Sequence, residues 1–142
     1  MKTSARNQFA GPVTAIKEGV VDTEITVQLA PGLELTAIVT RESAENMNLT
    51  MGRDVLAFVK ASSILLLVGE GGSISARNRF TGIVTSIHHG PVNAEVTISM
   101  PGGRHVVTAV ITDDSVKRLG LVEGNSATAV FKASSVFLAA VD

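Results

Sequence analysis

At 142 residues, with 45% hydrophobic and 18% charged side chains, the chain has the composition of a folded protein and not of a disordered one. A formal net charge of -1 gives no overall basic character for binding a nucleic-acid backbone, and the absence of cysteine excludes disulfides, thiolate metal sites and cysteine nucleophiles. The longest apolar run, Ile64 to Val68, falls far short of the roughly 20 residues that a membrane-spanning helix needs, and the polar stretch Met1 to Gln8 lacks the form of a signal peptide, so a cytoplasmic chain without a membrane partner is expected.

The first element met along the chain is also the first half of a repeat. Ser4-Ala5-Arg6-Asn7-Gln8-Phe9-Ala10-Gly11 returns as Ser75-Ala76-Arg77-Asn78-Arg79-Phe80-Thr81-Gly82. Thr36-Ala37-Ile38-Val39-Thr40 returns as Thr108-Ala109-Val110-Ile111-Thr112, and Lys60-Ala61-Ser62-Ser63 as Lys132-Ala133-Ser134-Ser135. Two domains of one kind follow, 1-68 and 74-142, with the Gly- and Ser-rich stretch 69-73 as a linker.

Within each copy the leading segment carries matched apolar residues, Phe9/Phe80, Val13/Val84 and Ile16/Ile87, and a glycine, Gly11/Gly82, expected at a bulge or bend. The next segment alternates apolar and polar residues, as in Glu24-Ile25-Thr26-Val27-Gln28-Leu29 and Glu95-Val96-Thr97-Ile98-Ser99-Met100, which is the period of a half-buried strand. Pro31-Gly32 and Pro101-Gly102-Gly103 then supply hairpin turns. After the third strand, Thr112 followed by Asp113-Asp114, Lys117-Arg118 and Gly120 reads as one short helix, from its cap through its dipole-matched charges to its closing glycine. Two strands close each copy, near Asp54 to Lys60 and Ser63 to Val68, then Ser126 to Lys132 and Ser135 to Val141. The predicted fold is all-β with one short helix per domain, as two tandem OB-like five-stranded β-barrels. Domains this small usually need a partner or an oligomer for sufficient burial.

The doubled polar residues are nearly all hydrogen-bond donors: Ser4/Ser75, Arg6/Arg77, Asn7/Asn78, Thr40/Thr112, Ser43/Ser115, Lys60/Lys132 and Ser62/Ser134. One Arg and one Lys per set, with hydroxyls, amides and backbone N–H groups, suit a tetrahedral dianion. Each residue also has an ordinary structural reading. Arg6 has Glu24 or Glu95 as a possible partner, Asn7 can hold a turn, Thr40 and Thr112 can be helix caps, and the lysines can be solvated.

The combination of Ser-Ala-Arg-Asn, Thr-Ala-[Val/Ile]-[Val/Ile]-Thr and Lys-Ala-Ser-Ser, present twice, resembles the Mop, or TOBE-type, molybdate-binding domain, and the two-copy chain resembles a di-domain molbindin. The resemblance implies reversible binding of molybdate or tungstate at domain or subunit interfaces for molybdenum storage, buffering or homeostasis, by a homotrimer holding six domains, with no catalysis and no bare metal cation. It implies a site of Ser4, Arg6 and Asn7 with Thr40, Ser43, Lys60, Ala61 and Ser62 or their counterparts, repeated by Ser75, Arg77, Asn78, Thr112, Ser115, Lys132, Ala133 and Ser134. Further axial sites near Gly19-Val20-Val21 and Gly90-Pro91-Val92 are a weaker implication. There Asp22 faces Asn93 and Val20 faces Pro91 between the copies, which puts the equivalence of the two turns in doubt.

Three rival readings make their own demands. An enzyme would draw on His88, His89 and His105, which lack the ligand spacing of a zinc site and are expected at the surface. A nucleic-acid-binding OB module would need exposed aromatics, whereas Phe9, Phe58, Phe80, Phe131 and Phe137 sit in apolar strands and are expected in the core. A non-catalytic oligomerisation module is the third alternative.

Overall fold

The computed structural model describes residues 1–69 and 72–140. Glu70 and Gly71 of the expected linker, Val141 at the end of the last expected strand, and Asp142 lie outside the described residues. The elements run β1 (Asn7–Glu18), β2 (Asp22–Ala30), β3 (Leu33–Thr40), α1 (Arg41–Asn46), β4 (Asp54–Val59), a 3-10 turn (Ala61–Ser63), β5 (Leu65–Leu67), β6 (Asn78–His89), β7 (Asn93–Ser99), β8 (Val106–Thr112), α2 (Asp113–Leu119), β9 (Ser126–Phe131), a second 3-10 turn (Ala133–Ser135) and β10 (Val136–Ala140). Each copy thus has five strands with one helix between the third and fourth.

The strands form two five-stranded sheets with the orders β10-β4-β1-β2-β3 and β5-β9-β6-β7-β8. The fifth strand of each sheet comes from the other copy. β10 pairs antiparallel with β4 through Val136↔Val59 to Ala140↔Val55, and β5 pairs antiparallel with β9 through Leu65↔Val130 to Leu67↔Thr128. The compact units therefore do not coincide with the copies 1-68 and 74-142. One unit comprises Met1–Asn7 with Lys60–Phe131, and the other comprises Gln8–Val59 with the chain from Lys132 onward. Within each unit the outer strands approach one another, β10 beside β3 and β5 beside β8, which curls the sheet toward a barrel.

The core of the second unit gathers Val13, Ile25, Val27, Leu49 and Val55, with Ile16, Val39, Ala44 and Leu138 packed against them. The first unit centres on Phe80 and Phe131, whose rings meet edge to face at 5.3 Å between centroids. Four of the five phenylalanines are buried, as expected. Phe137 is 63% exposed, because Val136 points inward and strand alternation turns its neighbour out.

Gly11 and Gly82 mark close strand approach, since a Cβ at either would stand 2.1 Å from a backbone carbonyl oxygen, of Gln28 or Ser99. The register shifts fall just beyond these glycines, between Val13 and Ala15 in β1 and between Val84 and Ser86 in β6. Both helices start on a threonine cap. α2 ends on Gly120 in the left-handed conformation, and Asn48 takes a φ of 51° at the matching place in the first copy.

Candidate functional site

In the first unit Asn7 ties the N-terminal segment to β8. Asn7 is 2% exposed, and its Nδ2 donates to the Thr108 carbonyl at 2.8 Å while its Oδ1 accepts from the Thr108 N–H at 2.7 Å. The amide thus supplies the two bonds that another strand would have given to β8, and it anchors Ser4, Arg6 and Asn7 there.

The turn carrying Lys60, Ala61 and Ser62 also packs on β8. Lys60 is extended (φ -69°, ψ 137°), and its carbonyl accepts from the Ser63 N–H at 2.9 Å. No side chain caps this turn, and its geometry leaves the N–H groups of Ala61 and Ser62 without acceptors inside it. Ala61 is buried, while Lys60 and Ser62 are exposed. The first unit therefore brings an Arg-bearing segment and a Lys-Ala-Ser turn to the same strand.

Arg6 has a carboxylate partner. Its Nη1 and Nη2 donate to Oε2 and Oε1 of Glu95, each at 2.7 Å, which selects Glu95 from the two carboxylates the sequence offered. This bidentate pair raises the Arg6 pKa, through the hydrogen bonds first and the carboxylate charge second, and the hydrogen bonds from Arg6 lower that of Glu95. Glu95 is an acceptor and so stands outside the doubled donor set, although the sequence offers it as a partner of Arg6. The visible signal was its recurrence, since Glu24 and Glu95 hold equivalent places in the two copies just as Arg6 and Arg77 do.

Thr40 and Thr112 serve as helix caps. Thr40 Oγ1 accepts from the Ser43 N–H at 3.1 Å and donates to Ser43 Oγ at 2.9 Å, and Thr112 does the same to Ser115 at 3.1 and 2.7 Å. Arg118 adds a 3.1 Å donation to Ser115 Oγ. In the second unit the turn of Lys132, Ala133 and Ser134 packs on β3, which ends at Thr40, and repeats the extended Lys backbone and the buried alanine. Ser75, Arg77 and Asn78 stand in the first unit at the entry to β6, with Asn78 buried.

His89 and Asp113 meet at 2.5 Å between Nδ1 and Oδ1, tying the end of β6 to the start of α2, and Lys117 lies 3.5 Å from the same carboxylate. The Asp113 pKa is lowered, by the His89 hydrogen bond before all else. His88 and His89 are exposed and His105 half-buried, and among the described residues no three His, Asp or Glu side chains cluster to hold a metal ion. At the expected axial turns Val20, Val21 and Val92 are 90%, 71% and 69% exposed. Among the described residues no helix is long and apolar enough to cross a membrane.

Comparison with known proteins adds three findings. The TOBE domain model matches residues 3–66 and again 74–138. The chain is 51% identical over 139 residues to the molybdenum transport protein ModE of Azotobacter vinelandii, and 46% identical over 140 residues to the molybdenum-pterin-binding protein MopA of Rhodobacter capsulatus. Those alignments take in 98% of this chain but only 51% and 52% of the relatives, so the chain spans about half their length. The fold superposes on the molybdate-bound crystal structure of the cytoplasmic molybdate-binding protein ModG with a TM-score of 0.95 at 47% identity, covering 99% of this chain and 100% of that one.

Proposed function

Because the chain belongs to the TOBE domain family, twice over, we propose that it binds molybdate reversibly and without catalysis, as an intracellular store or buffer of molybdenum. The observation that carries this reading is the convergence on β8 of the Asn7-anchored segment bearing Ser4 and Arg6 and the turn bearing Lys60, Ala61 and Ser62. Two cationic side chains, two hydroxyls and the backbone N–H groups of the turn match the acceptor oxygens and the double charge of a tetrahedral oxyanion. Ser75, Arg77 and Asn78 in the first unit, and Lys132, Ala133 and Ser134 in the second, repeat the same residue types. Thr40 and Ser43, with Thr112 and Ser115, present paired hydroxyls at exposed helix starts, from which a neighbouring subunit completes a site.

The ModG likeness extends the proposal to a cytoplasmic location, and tungstate, of the same shape and charge, is an alternative cargo. Oligomerisation belongs to the same reading. Domains of this size gain from further burial, and the exposed Val20-Val21 and Val92 turns offer apolar surface to the proposed homotrimer.

Isothermal titration with sodium molybdate, against sulfate and phosphate, tests the central claim. Selective binding of more than one anion per chain is expected, and Arg6→Ala with Arg77→Ala should weaken it by about tenfold or more through lost charge-assisted bonds. Unchanged stoichiometry and affinity in that double variant would refute the site, and a monomer that still binds, by light scattering, would refute the interface model.

A further inference from the structure

Resting on the site just proposed, we infer that Glu95 is an internal competitor of the oxyanion, a carboxylate that holds Arg6 until the anion takes its place. Three observations carry the inference.

The first is geometric. A carboxylate that accepts from both terminal nitrogens of a guanidinium at 2.7 Å occupies the fork by which Arg recognises an oxyanion. Glu95 itself is fixed, since it sits in β7 between His88 on β6 and Val110 on β8 in continuous antiparallel register. Arg6 is a long, half-exposed side chain that precedes β1, beside Asn7, which bonds β8.

The second is exposure. The Arg6 and Glu95 side chains retain 52% and 31% of their accessible surface, so an arriving anion reaches the pair from solvent. Exposed ion pairs are weakly held and exchange partners readily.

The third is charge balance. In the proposed site Arg6 and Lys60 together match a dianion, whereas Glu95 cancels the Arg6 charge while the pair lasts. An oxyanion on the same guanidinium would face the carboxylate as a like charge at close range, so the two occupants exclude each other. Glu95 thereby trades affinity for control. Without ligand it satisfies Arg6 and screens the site against singly charged anions, which repay the exchange less well than a dianion does.

The test is titration with sodium molybdate of the wild type, Glu95→Gln, Glu95→Ala and the combination of each with Arg6→Ala. Removing the carboxylate charge should tighten molybdate binding by about three- to tenfold, and that gain should disappear in the Arg6→Ala background, where nothing remains to compete for. The two Glu95 variants guard against a glutamine oxygen that still holds one Arg6 nitrogen, and circular dichroism verifies that both stay folded. If the wild type binds molybdate and both variants bind it equally or more weakly, the competitor role is wrong, and a loss matching that of Arg6→Ala would make Glu95 a positioning residue instead. If the wild type itself fails to bind molybdate, the site reading falls and the inference with it.

Discussion

Replacing Asn7 by Asp changes one atom group at the point that fixes the candidate site. The side chain keeps its shape, and Oδ1 can still accept from the Thr108 N–H, now 2.7 Å away. The other oxygen, however, replaces the donor that stands 2.8 Å from the Thr108 carbonyl, so a bond becomes a confrontation of two acceptors. Asn7 and Thr108 are 2% and 8% exposed, so little water reaches the broken contact. The lost bond contributes about 1 kcal/mol, and an orphaned buried carbonyl costs about 1–3 kcal/mol more, for a total near 2–4 kcal/mol. Only the protonated acid can donate to Thr108, so the folded-state pKa of Asp at this position must lie above its unfolded value of about 3.9. The native state then binds the proton more tightly than the unfolded state. The stability supplied by protonation is fully present below about pH 3.9 and is lost as the pH rises through the raised folded value. Urea denaturation at fixed protein concentration should therefore show Asn7→Asp well below the wild type at pH 7, with the gap narrowing toward pH 4, while Asn7→Ala stays below at both. A variant as stable as the wild type at pH 7, or a penalty unchanged at pH 4, would refute the role assigned to the amide.

Two further expectations rest on other contacts. Gly82→Ala places a Cβ 2.1 Å from the Ser99 carbonyl oxygen and 2.8 Å from its carbon, where contacts under 3.0 Å essentially never occur. Because those atoms are backbone, β6 and β7 must part, and a loss of about 3 kcal/mol is expected by thermal or urea unfolding, with no loss meaning that the strands slide freely. Asp113, its pKa lowered by His89 and then Lys117, contributes stability that is present above its ordinary value near 3.8 and lost as the pH falls through the depressed one. In acid titrations followed by circular dichroism, Asp113→Asn should flatten that acid limb, and an unchanged limb would show that the His89 contact carries no linkage.

The sequence made the strands, hairpins and helices legible because each follows from local chemistry. Alternation places Ile25 and Val27 inward, Pro31-Gly32 turns the chain, and Thr112, Asp113, Lys117 and Gly120 delimit α2. The strand partners at the sheet edge were not legible. Leu65-Leu66-Leu67 and Phe137-Leu138-Ala139 are both short and apolar, and alternation tells which face a residue takes but not which neighbouring strand it joins. The site divides in the same way. Donor residues at matched positions point to Lys60-Ala61-Ser62 and Ser4-Ala5-Arg6-Asn7, of which the Ala61–Ser63 turn and Asn7 lie against β8 while Arg6 pairs with Glu95 on β7. The partner of Arg6 stayed open between Glu24 and Glu95, because a repeat duplicates its carboxylates along with its cations. The sequence leaves Asn7 open between a donor and a turn-holding amide, and its reciprocal pairing with a strand backbone is a tertiary fact that spacing does not encode.

The exchanged edge strands have a consequence for how the chain is made. On a ribosome β4 emerges long before β10, which begins about 75 residues later, so the first sheet waits with an open edge while the entire second sheet is translated. At about 5–20 residues per second that wait lasts on the order of ten seconds, far longer than a small sheet needs to pair with whatever strand is at hand. The β4 edge of the first sheet is therefore completed only once β10 has been made.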